Sequence, residues 1–488
     1  MSFISFDFLI FTAGLTALYY LVPMKLRPPL LLLASALFYA MADLRFFIFL
    51  GISIISCYAA GLAMEKLPER KKLWLGLGIV LNLGLLLAVK YLGFAGDILA
   101  RLTGVELRLP SLLLPLGISF YTLQAIGYLM DVYRGDVRAQ RSLWRFALFM
   151  GYFPIIVQGP ISRYSQLAPQ LFEPRRFDFE RIKSGLQLML WGFFKKLIIA
   201  DRAAMLAEQV FRNYTEYSGL AVLVGLLVYI LQLYADFSGC VDICRGCAEL
   251  VGVKLMENFR RPFLSCSVRE LWRRWHISLS SWFRDYVHIP LGGSRRGALR
   301  KHINVFIIFT LSGLWHGAGL NYICWGAMQG LFIVAEELGE KLWRRLRGDR
   351  PLLGEGPVKT LLGRLYCFAM FAFSVLFFRA PGLRAGLSML VSIVQGPWLS
   401  QLTDGTLLTL GLGGAELAVL CLGLLVFIAA SLIQERREAL GLGGMRQLIA
   451  GFPLPLRWAL WLGGVMAVLI FGIYGPGYSS AAFIYMGF

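Results

Sequence analysis

Apolar runs of about 15 to 25 residues recur along the whole chain, and nothing else in the sequence restricts the possible folds as much. They fall near residues 3–22, 28–42, 45–63, 73–94, 112–130, 186–203, 219–235, 303–319, 321–338, 363–379, 409–432 and 458–475. A helix needs roughly 20 such residues to cross a hydrocarbon core. Lipid offers the backbone no hydrogen bonds, and a helix satisfies its own within one segment. The runs therefore predict an all-α, polytopic membrane protein of roughly 11 to 13 transmembrane helices. Only 16% of the 488 residues are charged, where a soluble chain carries about 25%. A further run, 143–161, is short and broken by Pro154, Gly159 and Pro160.

The net charge of +19 would suit a nucleic-acid partner if it were clustered for one. Instead, three quarters of the 48 Lys and Arg lie in alternate loops, at 24–27, 65–72, 131–142, 163–185, 254–301, 341–364 and 433–457. The positive-inside rule makes these loops cytoplasmic, so the excess is a topology signal with room for anionic membrane lipids, and no nucleic acid is expected. Segment 143–161, flanked by basic loops on both sides, is then expected to enter the membrane and return. The first run has almost no basic residue before it and no small-residue cleavage site after it, and reads as a retained helix. With no long linker, fixed-period repeat or low-complexity tail, residues 1–488 read as a single integral-membrane domain.

Eight scattered cysteines imply no disulfide framework. The stretch "CVDICRGC" has a CxxxCxxC spacing, but it continues an apolar helical run and reads as small helix residues rather than a cluster site. Nearby, Asp242 and Arg245 stand one helical turn apart and are expected to pair, while Asp236 is another buried ionisable residue. Lys195 and Lys196 are expected to snorkel to an interface.

The stretch "GLWHGAG", Gly313 to Gly319, puts an imidazole inside an apolar run. A polar group at membrane depth costs roughly 1 to 3 kcal/mol or more unless something satisfies it, so such a residue has a partner or a function. Runs 303–319 and 321–338 form a hairpin with basic residues on both outer flanks, which sets His316 roughly 20 Å along the first arm. Gly313, Gly317 and Gly319 permit close helix approach or an unwound turn there. Of the other histidines, His302 in "LRKHIN" and His288 in "DYVHIP" read as interfacial, whereas His276, like His316, follows a tryptophan. No HxxxH, HxxE or GxSxG spacing occurs, so no metal is expected, and acid–base or acyl-transfer work by a histidine remains. The 254–301 stretch interleaves Trp272, Trp275, Trp282, Phe283 and Tyr286 with arginines. Val268 to Tyr286 therefore predicts interfacial amphipathic helices, ended by "PLGG" at Pro290 to Gly293.

These residues carry a resemblance. "RRWHISLSSWFRDYVHIPLGGSRRG" followed by "SGLWHGAG" resembles the membrane-bound O-acyltransferase (MBOAT) family, and within it the enzymes that O-acetylate bacterial polysaccharides such as alginate. "LYYLVPMKLRPPLLLLASALFYA", "YFPIIVQGPISRYSQLAPQL", "LQLYADFSGCVDICRGCAELVGVKLMENFRRPF" and the terminal "FIYMGF" extend the likeness nearly end to end. The resemblance implies the MBOAT fold and transfer of an acyl group, acetyl in this subgroup, from a cytosolic thioester donor. The co-substrate would be acetyl-coenzyme A, with no bound cofactor. The acceptor would be a polysaccharide hydroxyl at or beyond the outer face of a bacterial inner membrane. It implies that His316 is the catalytic histidine, as general base or as transient acyl carrier, and that His276 is its second conserved partner. Trp315, Trp275, Arg273, Arg274, Arg284 and Asp285 are then expected to line the site or bind the donor, guanidinium groups being suited to its phosphates. An extracytoplasmic partner protein, serine-dependent and hydrolase-like, is expected to complete the transfer. Two rival readings remain: a D-alanyl transferase acting toward teichoic acid, whose relatives are shorter and lack "IPLGG", and a transporter of acyl groups that performs no chemistry.

Overall fold

The computed structural model describes residues 1–104, 113–348 and 356–474. Among the described residues the regular elements are all helical. The terminal "FIYMGF" lies outside the described residues, as do parts of the 112–130 and 458–475 runs and of the 341–364 loop. Among the described residues, six helices are long and apolar enough to cross a membrane: Phe46–Lys66, Pro68–Ala100, Leu220–Leu250, Pro357–Arg379, Gly414–Ala439 and Leu454–Phe471. The protein is a multi-pass membrane protein of all-α class. The chain forms two compact units, residues 1–189 with 240–257, and residues 190–239 with 258–488.

In the first unit the broken 143–161 segment is a nine-residue helix, Leu143–Gly151, followed by a single turn, Phe153–Ile156. Nine residues are too few to cross a bilayer. The break at Tyr152 releases backbone groups, and side chains take them up: Ser35 Oγ accepts from the Phe153 amide at 3.2 Å, and Gln124 Nε2 donates to the Phe149 carbonyl at 2.7 Å. Protein surrounds the irregular backbone, the condition under which such backbone is tolerated inside a membrane; Phe149 to Val157 are all buried. Arg245 and Asp242 pair at 3.1 Å, the one-turn partnership that their spacing predicts. Cys240, Cys244 and Cys247 are buried in the Leu220–Leu250 helix.

The second unit corrects the expectation for the two lysines. Lys195 and Lys196 do not snorkel; both are buried on a π-helical stretch, Phe194–Ala200. Lys196 Nζ pairs with Asp236 Oδ1 at 2.5 Å and Asp201 Oδ1 at 2.9 Å, and Lys195 Nζ hydrogen-bonds Ser238 Oγ at 3.0 Å. Consecutive residues on a helix diverge by about 100°, and the two ammonium groups accordingly reach different partners, both buried.

Ala298–His316 and Leu320–Arg347 form the hairpin that the sequence predicts, joined through Gly317 to Gly319. Ile303, Phe306, Ile307 and Leu311 are exposed along one stripe of the first arm, at helical spacing, a face suited to lipid. Ser312, Gly313, Trp315 and His316 are buried. The arms meet through glycine. A Cβ on Gly326 would lie 2.2 Å from the Phe309 carbonyl oxygen and 3.0 Å from Gly313 Cα, and one on Gly313 would lie 2.2 Å from the Tyr322 carbonyl oxygen. Backbone cannot step aside as a side chain can. Gly326→Ala is therefore expected to part the arms at a cost of about 1 to 3 kcal/mol, read as a lower thermal midpoint of detergent-purified protein. Gly339→Ala, on the same helix but with nothing within 4 Å of the added Cβ, is the matched control and should leave the midpoint in place.

Candidate active site

His276 sits between two seven-residue helices, Val268–Arg274 and Ile277–Phe283. The first begins at "SVRE": Ser267 Oγ accepts from the Glu270 amide at 3.1 Å, and the Glu270 carboxylate reaches back to the Cys266 amide at 2.9 Å. This reciprocal arrangement fixes a helix start. The helix ends at Arg274, Trp275 is extended, and His276 turns left-handed at φ 44°. A side chain with a Cβ occupies that region at a cost of about 1 to 3 kcal/mol and stays there only when its surroundings over-determine it. Asn258 supplies much of the constraint: its carbonyl accepts from the Ile277 amide at 3.0 Å and its Oδ1 from the Ser278 amide at 2.9 Å. The Arg260 amide also donates to the Arg274 carbonyl at 2.9 Å. Strain held in this way clusters at functional sites.

The interfacial helices predicted from Val268 to Tyr286 are thus two short helices turned inward. Trp272, Trp275 and Trp282 are buried rather than spread on a membrane surface. Trp275 packs among Tyr234, Phe259, Phe263 and Phe371, with ring centroids 5.1 to 5.9 Å away. The "PLGG" break falls where expected, with Gly292 and Gly293 at φ +102° and +55°.

His316 is the last residue of its helix, 3% exposed, and its ring meets Trp315 at 4.9 Å, Trp325 at 5.2 Å and Phe378 at 5.6 Å, all edge-on. His276, 1% exposed, meets Phe237 at 4.8 Å and the same Trp315 at 6.1 Å. One indole therefore borders both imidazoles, which are 40 residues apart in sequence. Burial lowers the His276 pKa to about 3, so its ring is neutral throughout the physiological range and can serve as a hydrogen-bonding group rather than a fixed cation.

A cavity of about 190 Å³ adjoins this cluster, walled by Trp272, Phe283, Ile308 and Phe309, with Arg284 and His288 among its lining groups. Ser312, one helical turn before His316, also lines it. Burial and nearby Lys301 lower the His288 pKa.

Of the arginines expected to line the site, Arg284 borders the cavity and bonds to Asp285 at 2.8 Å. Arg273 is exposed. Arg274 is committed to Glu270 and Glu435, each at 2.7 Å, and works as a structural tie. His302 Nε2 lies 3.4 Å from Glu337, which also binds Lys301 and Lys341. Sequence reasoning missed Trp325, Gln329, Ser374, Phe378 and Asn258. The signal for Gln329, an amide within "WGAMQGLF", was the same polar-in-apolar anomaly that marked His316.

Fold and site together define a multi-pass membrane protein with two buried histidines bordering one indole, and a largely apolar cavity one helical turn from His316. The membrane-bound O-acyltransferase family profile matches residues 138–379, a span that contains both histidines. The probable alginate O-acetylase of Pseudomonas putida is 38% identical over 83% of this chain and 83% of its own length. That of Pseudomonas syringae pv. tomato is 42% identical over 66% of this chain and 63% of its own length. The peptidoglycan O-acetyltransferase of Helicobacter pylori is 32% identical over 75% of this chain and 73% of its own. The chain belongs to the membrane-bound O-acyltransferase family and is an enzyme of the O-acyltransferase class.

Proposed function

We propose that this protein moves an acetyl group from cytosolic acetyl-coenzyme A through the bacterial inner membrane to hydroxyls of a cell-surface or exported polysaccharide of the alginate kind. Transfer is direct or passes through an extracytoplasmic partner with a reactive serine. The observation that carries this reading is the shared indole: Trp315 borders His316 at 4.9 Å and His276 at 6.1 Å. Acyl transfer to a hydroxyl needs one group to handle the hydroxyl proton and another to position the thioester, both held in fixed geometry. The names of the relatives, probable alginate O-acetylase and peptidoglycan O-acetyltransferase, support acetyl as the group and an envelope polymer as the acceptor.

Two routes use His316. As general base, its unprotonated ring nitrogen takes the acceptor proton while the hydroxyl oxygen attacks the thioester carbonyl; the C–S bond breaks, and the proton passes to the departing thiolate. As acyl carrier, the nitrogen attacks first, the C–S bond breaks and the thiolate leaves; the acceptor oxygen then attacks the acyl carbon, the C–N bond breaks, and the hydroxyl proton passes to the thiolate. In both, neutral His276 offers its N–H to orient the donor or polarise the carbonyl. The cavity beside Trp272 suits the donor's flexible arm, with Arg284 and His288 toward its phosphates.

The test supplies native membranes with labelled acetyl-coenzyme A or with labelled D-alanine on its carrier. Acetyl label released from polymer by mild base is the expected result. Alanine label in its place would make the protein a D-alanyl transferase. Undiminished acetyl delivery after replacement of both histidines would make it a transporter.

A further inference from the structure

The ring set around His316 is backed by a polar relay that packing alone does not require. Besides their contacts with the imidazole, Trp325 and Phe378 touch each other at 4.9 Å, and Trp272 backs Trp325 at 5.9 Å. Trp272 is itself held: its Nε1–H donates to Gln329 Oε1 at 2.9 Å, and Gln329 Nε2 donates to Ser374 Oγ at 2.5 Å. The Ser374 hydroxyl in turn donates to the Phe371 carbonyl at 2.8 Å. Gln329 and Ser374 are both 0% exposed. An amide and a hydroxyl buried together are less favourable than apolar groups of the same shape unless their bonds define one arrangement. The arrangement defined here is a single orientation of the Trp272 indole.

We propose that this ring set limits the length of the transferred acyl group: Trp325 and Phe378 confine it to the two-carbon class, and Gln329 and Ser374 keep the wall behind them rigid through Trp272. The inference rests on the reading of His316 as the reacting residue. A thioester carbonyl within reach of the imidazole must project its acyl tail among the surrounding rings. A methyl group fits beside ring edges, whereas each further methylene has to push a ring off its rotamer or shift a wall that the relay holds. One methylene in an apolar pocket changes relative rates by about 10- to 200-fold.

Membranes containing the full chain, its native partners and the polymer would be given acetyl-, propionyl- or butyryl-coenzyme A, with O-acyl groups on the polymer measured by mass spectrometry. Phe378→Ala is expected to raise the butyryl-to-acetyl ratio about 10-fold or more, and Gln329→Leu to raise it in the same direction by less. An unchanged ratio in Phe378→Ala overturns the proposal. If that variant does not accumulate, Phe378→Leu is read by the same criterion. Loss of transfer with every donor at normal abundance also overturns it, because the rings would then serve the reaction itself and not the choice of acyl group. His316→Ala separates the two claims: acetyl transfer retained there removes the role given to His316, while the donor ratio of the ring variants is judged on its own.

Discussion

Replacing His316 with alanine should lower acyl transfer by about 100- to 10,000-fold while the protein accumulates and elutes in detergent as the native chain does. The loss follows from position. His316 ends its helix with Trp315, Trp325 and Phe378 packed around its ring, and none of these three side chains is a base that could take its place. The fold should survive, because the hairpin is fixed by its glycine seam rather than by the imidazole. Transfer measured in membranes at matched abundance decides the matter, and wild-type activity in the variant would end the assignment. The neutral state of His276 sharpens the contrast: His276→Gln keeps an N–H donor and is expected to lose less than His316→Ala.

Lys196→Met should have the largest effect on folding. It removes the ammonium that Asp201 and Asp236 share at 2.9 and 2.5 Å, leaving two buried carboxylates to face each other without it. Removing one partner from a buried ion pair costs about 3 to 5 kcal/mol, a large share of a typical protein's net stability. Little folded protein should be recovered in the membrane fraction. The companion Lys196→Met/Asp236→Asn should recover part of it, since the second change withdraws one of the two stranded charges. Equal abundance of wild type and Lys196→Met would show that the cluster contributes nothing to stability.

That cluster also marks where local reading of the sequence stops. The Asp242–Arg245 pair is legible because its partners stand three residues apart on one helix. Lys196 and Asp236 are 40 residues apart, so only the folded chain reveals that Lys196 points inward; composition near "FFKKLII" is equally compatible with snorkelling. The same distinction separates the two histidines. His316 announces itself by standing in an apolar run with glycines on both sides, and the hairpin follows from the flanking charges. His276 announces only a tryptophan neighbour; its left-handed backbone depends on two hydrogen bonds that Asn258 accepts from the residues just after it, the longer in sequence spanning 20 residues. Arg274 shows the converse. Beside a histidine it reads as a ligand-binding residue, but Glu435 is out of sight of any local pattern, and it is Glu435 that claims the guanidinium.

The glycine seam of the hairpin bears on how the protein meets membranes of different thickness. Where two helices touch through side chains, a mismatched bilayer can be accommodated by sliding one past the other. Gly313 and Gly326 bring backbone against backbone, and the Tyr322 ring lies over Gly317, so the two arms are interlocked at the level of His316. Hydrophobic mismatch is then absorbed by tilting the pair as one body. The registry of His316 with Trp325 thus becomes a property of the chain, insulated from lipid composition, and a change of acyl-chain length in the surrounding lipids should tilt the hairpin without retuning the chemistry it carries.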